Sequence, residues 1–437
     1  MIRRGGACGG LNAKRQMSIP RGVVFPARVR ATSAPMPSPL ACHWSLDPAV
    51  AYLNHGAFGA CPRVIVERQA ALRAELERGP VDFLWRTLDA RLDEARAEVA
   101  RLVRAPEETI AFVQNATSGV NAVARSLEFA PGDELLTTDH DYNACRNVLT
   151  EVARRGGARV VVAAVPFPLA SADEVVAAVL GAVTPRTRLA LLDHVTSPTA
   201  LVFPLAEIIR ELSARGVPVL VDGAHAPGML ELDVPALGAD YYTGNLHKWV
   251  CGPRATGFLY VKAERQEAIQ PAVISHGYNR RRPGRCALHD RFDWQGTSDV
   301  TAWLATADAI RWGETLFADR AAWMRHNREL AIAARRLLCA EWKVEPPCPE
   351  SMLGAMATIP LPDRWQNLPM TGEHDDPVQR ALFHEHRIEA PIIRRAGRRY
   401  VRVSAHAYNA PDDYARLAAA LGVSAGRSAG SGSSPRG

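Results

Sequence analysis

Lysine is the residue that this sequence most clearly lacks. The 437 residues include 52 lysines and arginines, and only Lys14, Lys248, Lys262 and Lys343 are lysine. A chain that carries nearly all of its positive charge as arginine has no general need for lysine, so a retained one calls for a specific reason. Lys248 lies in "TGNLHKWVCGP", an apolar segment rich in glycine, histidine and tryptophan.

Long hydrophobic runs and paired cysteines are also missing. No apolar run reaches the roughly 18 residues of a membrane helix, so we expect no membrane partner. The eight cysteines show no CxxC pair and no metal-type spacing with histidine, so we expect reduced thiols, no metal site and a cytoplasmic protein. A chain with 47% hydrophobic and 22% charged residues is typical of a soluble globular enzyme.

Acidic residues are absent from the first 46 positions, which carry seven basic residues. Because the whole chain has a net charge of +6, the rest is close to neutral, and we expect no nucleic-acid partner. We predict that residues 1–42 are a disordered or mis-assigned leader, with a targeting segment as the alternative. The Gly/Ser-rich residues 423–437 are predicted to be a disordered tail.

Short apolar runs alternate with amphipathic helical segments after about residue 105. Examples are "TIAFV", "ELLTTD", "ARVVVAAV", "TRLALLDHV" and "PVLVDGA". This alternation predicts an α/β fold with a mostly parallel, seven-stranded-type sheet covered by helices, which binds ligands beyond the carboxyl ends of its strands. We assign the large cofactor-binding domain to 105–305, a smaller α+β C-terminal domain to 306–422, and helices that pack on the smaller domain to 43–104.

Asp222 and Lys248 together point to one chemistry. Asp222 ends an apolar strand, where a buried carboxylate needs a cationic partner, and Lys248 follows 26 residues later. A helix-capping aspartate and a chance lysine would explain each alone. Pyridoxal 5'-phosphate requires a lysine that forms an imine with its aldehyde and an acid against its ring nitrogen. Arginine cannot replace that lysine, because a guanidinium does not form such an imine.

A phosphate site is predicted in "FVQNATSGVNAV". Ala116, Thr117 and Ser118 would present backbone N–H groups and hydroxyls at the start of a helix, where anions are stabilised. An ordinary helix N-cap is the alternative.

Eight motifs resemble the class V aminotransferase family of fold-type I pyridoxal-phosphate enzymes, and most closely its isopenicillin N epimerase-like branch. They are "YLNHGAFGACP" (52–62), "QNATSG" (114–119), "TTDHDYNACR" (137–146), "LLDHVTSPTA" (191–200), "VDGAHAPG" (221–228), "TGNLHKW" (243–249), "WQGTSD" (294–299) and "RVSAHAYN" (402–409).

The resemblance implies a role for each matching residue around the cofactor. Lys248 would form the aldimine, Asp222 would face the pyridine nitrogen and His225 would bond the phenolic oxygen. Five residues would hold the cofactor phosphate: Ala116, Thr117, Ser118, Asn245 and His247. His140 or Tyr142 would stack on the ring.

The resemblance also implies residues for the substrate and for a partner subunit. Arg402 would bind the substrate α-carboxylate, and Asn54 and His55 would lie over the substrate. Thr297 would reach the phosphate of the neighbouring subunit, which implies a homodimer.

Epimerase-like chemistry at Cα or Cβ of an amino-acid-type substrate is the activity that the resemblance favours. A C–S lyase, using Tyr142 or Cys145, and an aminotransferase are the alternatives. A desulfurase would need a cysteine shortly before Arg402, and the last cysteine is Cys348. A non-catalytic binding protein would be expected to lose the lysine, the acid or the arginine. A nucleotide-binding oxidoreductase would need a glycine fingerprint that "VQNATSGV" lacks.

Overall fold

The computed structural model describes residues 38–369 and 376–422. The strands are β1 Ala51–Tyr52, β2 Ile110–Val113, β3 Glu134–Thr138, β4 Arg159–Ala163, β5 Thr187–Asp193, β6 Val219–Asp222, β7 Tyr241–Asn245, β8 Gly257–Val261, β9 Met356–Pro360, β10 Ile388–Glu389, β11 Ile392–Arg395 and β12 Arg398–Ser404. The helices are α1 His55–Phe58, α2 Arg63–Arg78, α3 Leu88–Val103, α4 Ala116–Ser126, α5 Asn143–Gly156, α6 Asp173–Gly181, α7 Leu205–Ala214, α8 Val234–Leu237, α9 Ala287–Phe292, α10 Thr301–Gly313, α11 Arg320–Trp342, α12 Pro377–His386 and α13 Pro411–Leu421.

A seven-stranded sheet forms the centre of the larger part of the fold. Its strand order is β2-β8-β7-β6-β5-β3-β4, and β3 to β7 run parallel while β8 is antiparallel to both of its neighbours. Every residue of β2, β6, β7 and β8 is buried, as expected for strands covered by helices on both faces. The predicted α/β fold with a mostly parallel sheet is therefore confirmed.

Three neighbouring strands each end in a polar residue at the carboxyl edge of the sheet. β5 ends at Asp193, β6 at Asp222 and β7 at Asn245, and Asp193 lies opposite Asp222 in the ladder. Helix α4 lies close against β7, because a Cβ on Gly119 would come 2.1 Å from the Thr243 hydroxyl oxygen. Glycine is therefore required there for the helix N-terminus to approach this edge of the sheet.

The C-terminal part contains a three-stranded antiparallel sheet of order β11-β12-β9. The N-terminal segment is joined to it by the parallel pair of β1 with β10. Gly59 brings the same segment against the Lys248 loop: its φ is +69°, and a Cβ there would lie 2.0 Å from the His247 carbonyl oxygen. The N-terminal residues thus form one wall above the sheet. The proposed domain boundaries stay a prediction.

The predicted leader and tail lie largely outside the described residues. The described residues begin at position 38, inside the predicted leader of residues 1–42. There, Pro39–His43 forms a short 3-10 helix instead of a disordered segment. Among the described residues, no helix is both long enough and apolar enough to cross a membrane.

A candidate cofactor site at the carboxyl ends of the central strands

Lys248 lies in the loop after β7 and points into the protein. Its side chain is 9% exposed, and its Nζ lies 3.2 Å from Nε2 of His225. Burial lowers the pKa of the Lys248 amine to about 7, with a further contribution from the positive charge of Arg402, while Asp222 acts in the opposite direction. Near pH 7 a large share of this amine is therefore neutral and nucleophilic.

Asp222 is buried at the end of β6, and each of its carboxylate oxygens accepts one hydrogen bond from the protein. Oδ1 accepts the Ala224 N–H at 2.9 Å, and Oδ2 lies 3.1 Å from the Cys145 sulfur, which donates to it. Burial raises the pKa of Asp222, whereas these two donors and the charge of Lys248 lower it. Lysine and aspartate thus belong to one electrostatic site, as the sequence predicts.

His225 lies three residues after the end of β6, next to the Lys248 amine. It is buried, and its Nδ1 has no hydrogen-bond partner among the described residues. Burial holds the pKa of this imidazole well below its usual value, with Lys248 and Arg402 acting in the same direction. A neutral imidazole with an orphaned ring nitrogen can bond a polar group of a bound ligand.

The start of α4 is organised by two asparagines. Asn115 caps the helix, its Oδ1 accepting from the Ser118 N–H at 2.9 Å and from the Ser118 hydroxyl at 3.2 Å. Asn245 Oδ1 accepts the Ala116 N–H at 2.8 Å. The predicted donors of Ala116 and Ser118 are thus used within the protein. The Thr117 hydroxyl has no hydrogen-bond partner within the described ranges, so it remains free for an anion.

His247 is fixed beside this helix start. Its Nδ1 bonds the Thr256 carbonyl oxygen at 2.8 Å, so that nitrogen carries the proton. Burial lowers the pKa of His247 to about 4. Its other ring nitrogen would have to be protonated to donate to a phosphate.

The two candidates for ring stacking differ in accessibility. His140 is 0% exposed, with Nδ1 bonded to the Thr199 hydroxyl at 2.7 Å and Nε2 to the Val165 carbonyl at 3.1 Å. Tyr142, at the N-cap of α5, is 47% exposed. A ring that stacks on a ligand must offer an open face, and here Tyr142 offers more surface.

Arg402 is a buried cation among neutral acceptors. Its guanidinium bonds the Ser197 carbonyl and hydroxyl, and Nη2 lies 3.4 Å from Oδ1 of Asn54. Its Nε is buried without a partner in the described part of the chain. Burial lowers the pKa of Arg402 to about 10. Such a guanidinium is primed for a carboxylate, which it can bind bidentately.

His55 lies beneath the lysine loop, within a buried aromatic cluster. Its Nε2 bonds the Lys248 carbonyl oxygen at 3.0 Å, and its Nδ1 bonds the Tyr408 hydroxyl at 2.8 Å. Its ring stacks on His406 with centroids 4.0 Å apart. Both nitrogens are engaged within the protein, so these contacts support the lysine loop. The predicted position of His55 over the substrate stays untested.

The same cluster contains a histidine–cysteine–histidine group. The ligand atoms of His55, Cys251 and His406 lie within 4.8 Å of one another. Both ring nitrogens of His55 are already engaged, with the Tyr408 hydroxyl and the Lys248 carbonyl oxygen, so His55 has no free lone pair for an ion. This group is therefore not proposed as a metal site.

Thr297 is exposed in the loop before α10, next to Gly296 with φ +107°. The structure describes a single chain, so its predicted contact with a neighbouring subunit stays a prediction.

Three residues of the site were not singled out by the sequence analysis. Ser197 lay inside a quoted motif, but nothing in the pattern marked it as the acceptor for Arg402. Asn115 could have been found, because asparagine directly before a helix is a frequent N-cap. Tyr408 gave no signal, since its contact with His55 joins residues 353 positions apart.

The residues present fit pyridoxal phosphate. Lys248 would form the covalent bond, Asp222 and His225 would contact the ring, and the Thr117 hydroxyl at the start of α4 would meet the phosphate. The orphaned Nδ1 of His225 and the free Thr117 hydroxyl are the features that support this fit.

Lysine labelling in the cofactor-free protein is predicted to reveal the lowered pKa. Lys248 should react with a neutral amine reagent more rapidly as pH rises through about 7 and should level off above it. The ordinary pKa of a lysine amine is 10.5. Between pH 7 and 10.5 the unfolded chain therefore binds a proton at this lysine that the folded chain does not bind. The free energy of unfolding should consequently increase as pH rises through that window. The measurement is peptide mapping by mass spectrometry.

Arg402→Gln should move this labelling midpoint upwards, because it removes a nearby positive charge. The exposed Lys262 and Lys343 report the reagent's behaviour in the same sample. Labelling of Lys248 that still rises steeply at pH 10 would contradict a buried amine.

Comparisons with known proteins identify the family of the chain. The chain matches the family model described as Aminotransferase class-V over residues 61–346. It is 36% identical to isopenicillin N epimerase of Streptomyces clavuligerus, covering 86% of this chain and 95% of that protein. It is 30% identical to a probable chloroplastic L-cysteine desulfhydrase of Arabidopsis thaliana, covering 86% and 83%.

A solved structure has a similar fold. The complex between the cystine C–S lyase C-DES and cysteine persulfide matches with a TM-score of 0.72 and 24% identity, covering 85% of this chain and 97% of that one. The family match covers more than half of the sequence, and the residues that the family's cofactor requires lie together. The chain belongs to the class V aminotransferase family of pyridoxal-phosphate-dependent enzymes, with isopenicillin N epimerases among its relatives.

Proposed function

We propose that this enzyme abstracts and returns the proton at Cα of an amino acid or amino-acid-derived substrate, with epimerase-like inversion. The observation that carries this proposal is Arg402, a buried guanidinium that has only neutral acceptors and lies close enough to Lys248 to lower its pKa. A substrate whose α-carboxylate binds Arg402 would place Cα near the lysine amine.

Lys248 is the proposed base on one face of the substrate. Burial lowers the pKa of its amine to about 7, so a large share is neutral near pH 7 and can accept a proton at Nζ and return it. When bound, pyridoxal phosphate supplies the electron sink that makes the Cα–H acidic. Asp222 holds a negative charge at the ring, and Asn54 and Ser197 orient the guanidinium of Arg402.

Inversion needs a second proton carrier on the opposite face. His140 and His55 have both ring nitrogens engaged, and burial lowers the pKa of each to about 4. Tyr142 is exposed, and we propose it both as the stacking ring and as the second acid.

A C–S lyase is the second candidate, favoured by the similarity to the Arabidopsis L-cysteine desulfhydrase. Cys145 does not serve as its nucleophile, because burial and the charge of Asp222 raise the pKa of that thiol well above its usual value. The fully buried position of Cys145 also excludes an approaching substrate.

Product analysis decides between the reactions. The enzyme would be mixed in D₂O with isopenicillin N, L- and D-amino acids and S-substituted cysteines. Deuterium at Cα with inversion is the expected result. Pyruvate release would instead show the lyase, and conversion to the pyridoxamine form would show transamination. Retention of the Cα proton with every substrate would overturn the proposal.

The homodimer is also proposed, with Thr297 completing the phosphate site of the partner subunit. Exposed apolar side chains support an interface: Phe58, Trp85, Val273, Ile274 and Tyr278. The cytoplasm is the proposed compartment, since the seven described cysteines are free thiols.

Mixed dimers test site sharing. In a dimer of one Lys248→Ala and one Thr297→Ala subunit, a shared arrangement gives one doubly altered site and one intact site. Differently tagged subunits purified as heterodimers should then show about half of the wild-type activity. If Thr297 acts within its own subunit, the mixed dimer will show only half of the Thr297→Ala activity.

A further inference from the structure

Asp222 accepts a hydrogen bond from the buried thiol of Cys145. Cys145, in the first turn of α5, lies 77 positions from Asp222 and places its sulfur 3.1 Å from Oδ2. Both side chains are buried. The Ala224 N–H binds the other oxygen at 2.9 Å, so each carboxylate oxygen has one donor from the protein and one remaining acceptor position.

The surroundings keep this thiol in its protonated form. Cys145 packs in an apolar cluster with Leu135, Leu149 and Leu191, which penalises a thiolate. Asp222, which accepts the hydrogen bond of the thiol, further opposes a negative charge on the sulfur. The sulfur can therefore donate its proton in a hydrogen bond but does not readily lose it.

A cysteine suits this position better than an apolar residue of similar size. An apolar side chain would leave Oδ2 with one fewer donor in a dry environment, where an unpaired charged oxygen is costly. Without the thiol, the carboxylate would be held only through Oδ1, by the Ala224 N–H, and could rotate about its Cβ–Cγ bond. The thiol adds a second hydrogen bond, at Oδ2, and so fixes the plane of the carboxylate.

We infer that Cys145 is a positioning residue, whose S–H holds Oδ2 of Asp222 so that the carboxylate faces the pyridine nitrogen of the cofactor. This inference rests on the proposed function, because it assigns Asp222 to the ring nitrogen. Cys145 itself touches neither substrate nor cofactor in this role.

Infrared spectroscopy of the cofactor-free protein tests the hydrogen bond directly. The S–H stretch of Cys145 is isolated as the difference between wild type and Cys145→Ala, since the other seven cysteines are common to both. We expect a band shifted to lower frequency than that of a free thiol, and Asp222→Asn should shift it back upwards. An unshifted band, or one that Asp222→Asn leaves in place, would overturn the inference.

The holoenzyme provides the functional arm. Cys145→Ala should slow Cα–H exchange about tenfold, the value of a typical buried hydrogen bond to a charged group, and Cys145→Ser should recover most of the rate because a hydroxyl also donates. Equal rates in wild type, Ala and Ser variants would refute the positioning role. So would equal losses in the Ala and Ser variants, which a purely structural role would produce.

The two proposals fail in different ways. If the proposed function is wrong, the wild-type enzyme will retain the Cα proton of every substrate in D₂O, while the infrared shift of Cys145 will persist. If only the positioning role is wrong, the cofactor will be bound, but the S–H band will be unshifted or Cys145→Ser will not recover the rate.

Discussion

Lys248→Ala is expected to abolish the covalent attachment of pyridoxal phosphate and to slow Cα–H exchange by at least about 10³-fold. The alanine removes both the nucleophile that binds the cofactor and the base that moves the proton. No neighbouring side chain can replace it: burial holds the pKa of His225 well below its usual value, so this imidazole is a weak base, and Arg402 does not form the required bond. The measurements are visible absorption and deuterium exchange at Cα.

Lys262→Ala is the matched control, since Lys262 is an exposed lysine directly after β8, the strand that neighbours β7. It should retain the yellow colour of the bound cofactor and the wild-type rate of Cα–H exchange. A Lys248→Ala variant that remains yellow and keeps exchanging the substrate proton would refute the assignment.

Asp222→Ala is expected to leave the lysine bond to the cofactor intact but to slow Cα–H exchange roughly 10²- to 10³-fold. The buried carboxylate stabilises a proton on the ring nitrogen, and its loss weakens the electron sink without removing the nucleophile. Retained yellow colour with a large loss of exchange is therefore the specific signature.

Asp240→Asn is the control for the effect on folding of replacing a buried carboxylate with a neutral group. Asp240 is also buried, but it precedes β7 at the amino end, where it accepts the Val219 N–H at 2.9 Å. Its variant should lose thermal stability with little change in exchange by the remaining folded protein. If both variants lose exchange equally, the effect of Asp222 would reflect folding instead of catalysis.

The sequence predicts the strands and helices whose apolar residues form a clear pattern, and it predicts the chemistry of the site. "IAFV" and "VLVD", inside the predicted segments "TIAFV" and "PVLVDGA", are buried apolar strands. Strand β7 was not predicted, because "YYTGN" ends in glycine and asparagine, which are unfavourable in strands. Its position between β6 and β8 overrides that preference.

Contacts between distant segments were beyond sequence reasoning. The Ala116 N–H could be predicted to face an anion from its place at a helix start, but its use by Asn245 depends on the approach of α4 to β7. The engagement of His55 with Tyr408 likewise depends on how the N-terminal segment folds back. Residue type identified the chemistry, and tertiary packing decided which donors remain free.

Borohydride reduction of the purified enzyme, followed by peptide mapping, tests the central claim most directly. Reduction converts the bond between the lysine and the cofactor into a stable amine, so the cofactor's mass remains on the modified residue. Since the chain has only four lysines, the assignment is unambiguous. The account predicts one phosphopyridoxyl group per chain, on Lys248. Modification of Lys262 or Lys343 instead, or no modification of an active enzyme, would contradict it.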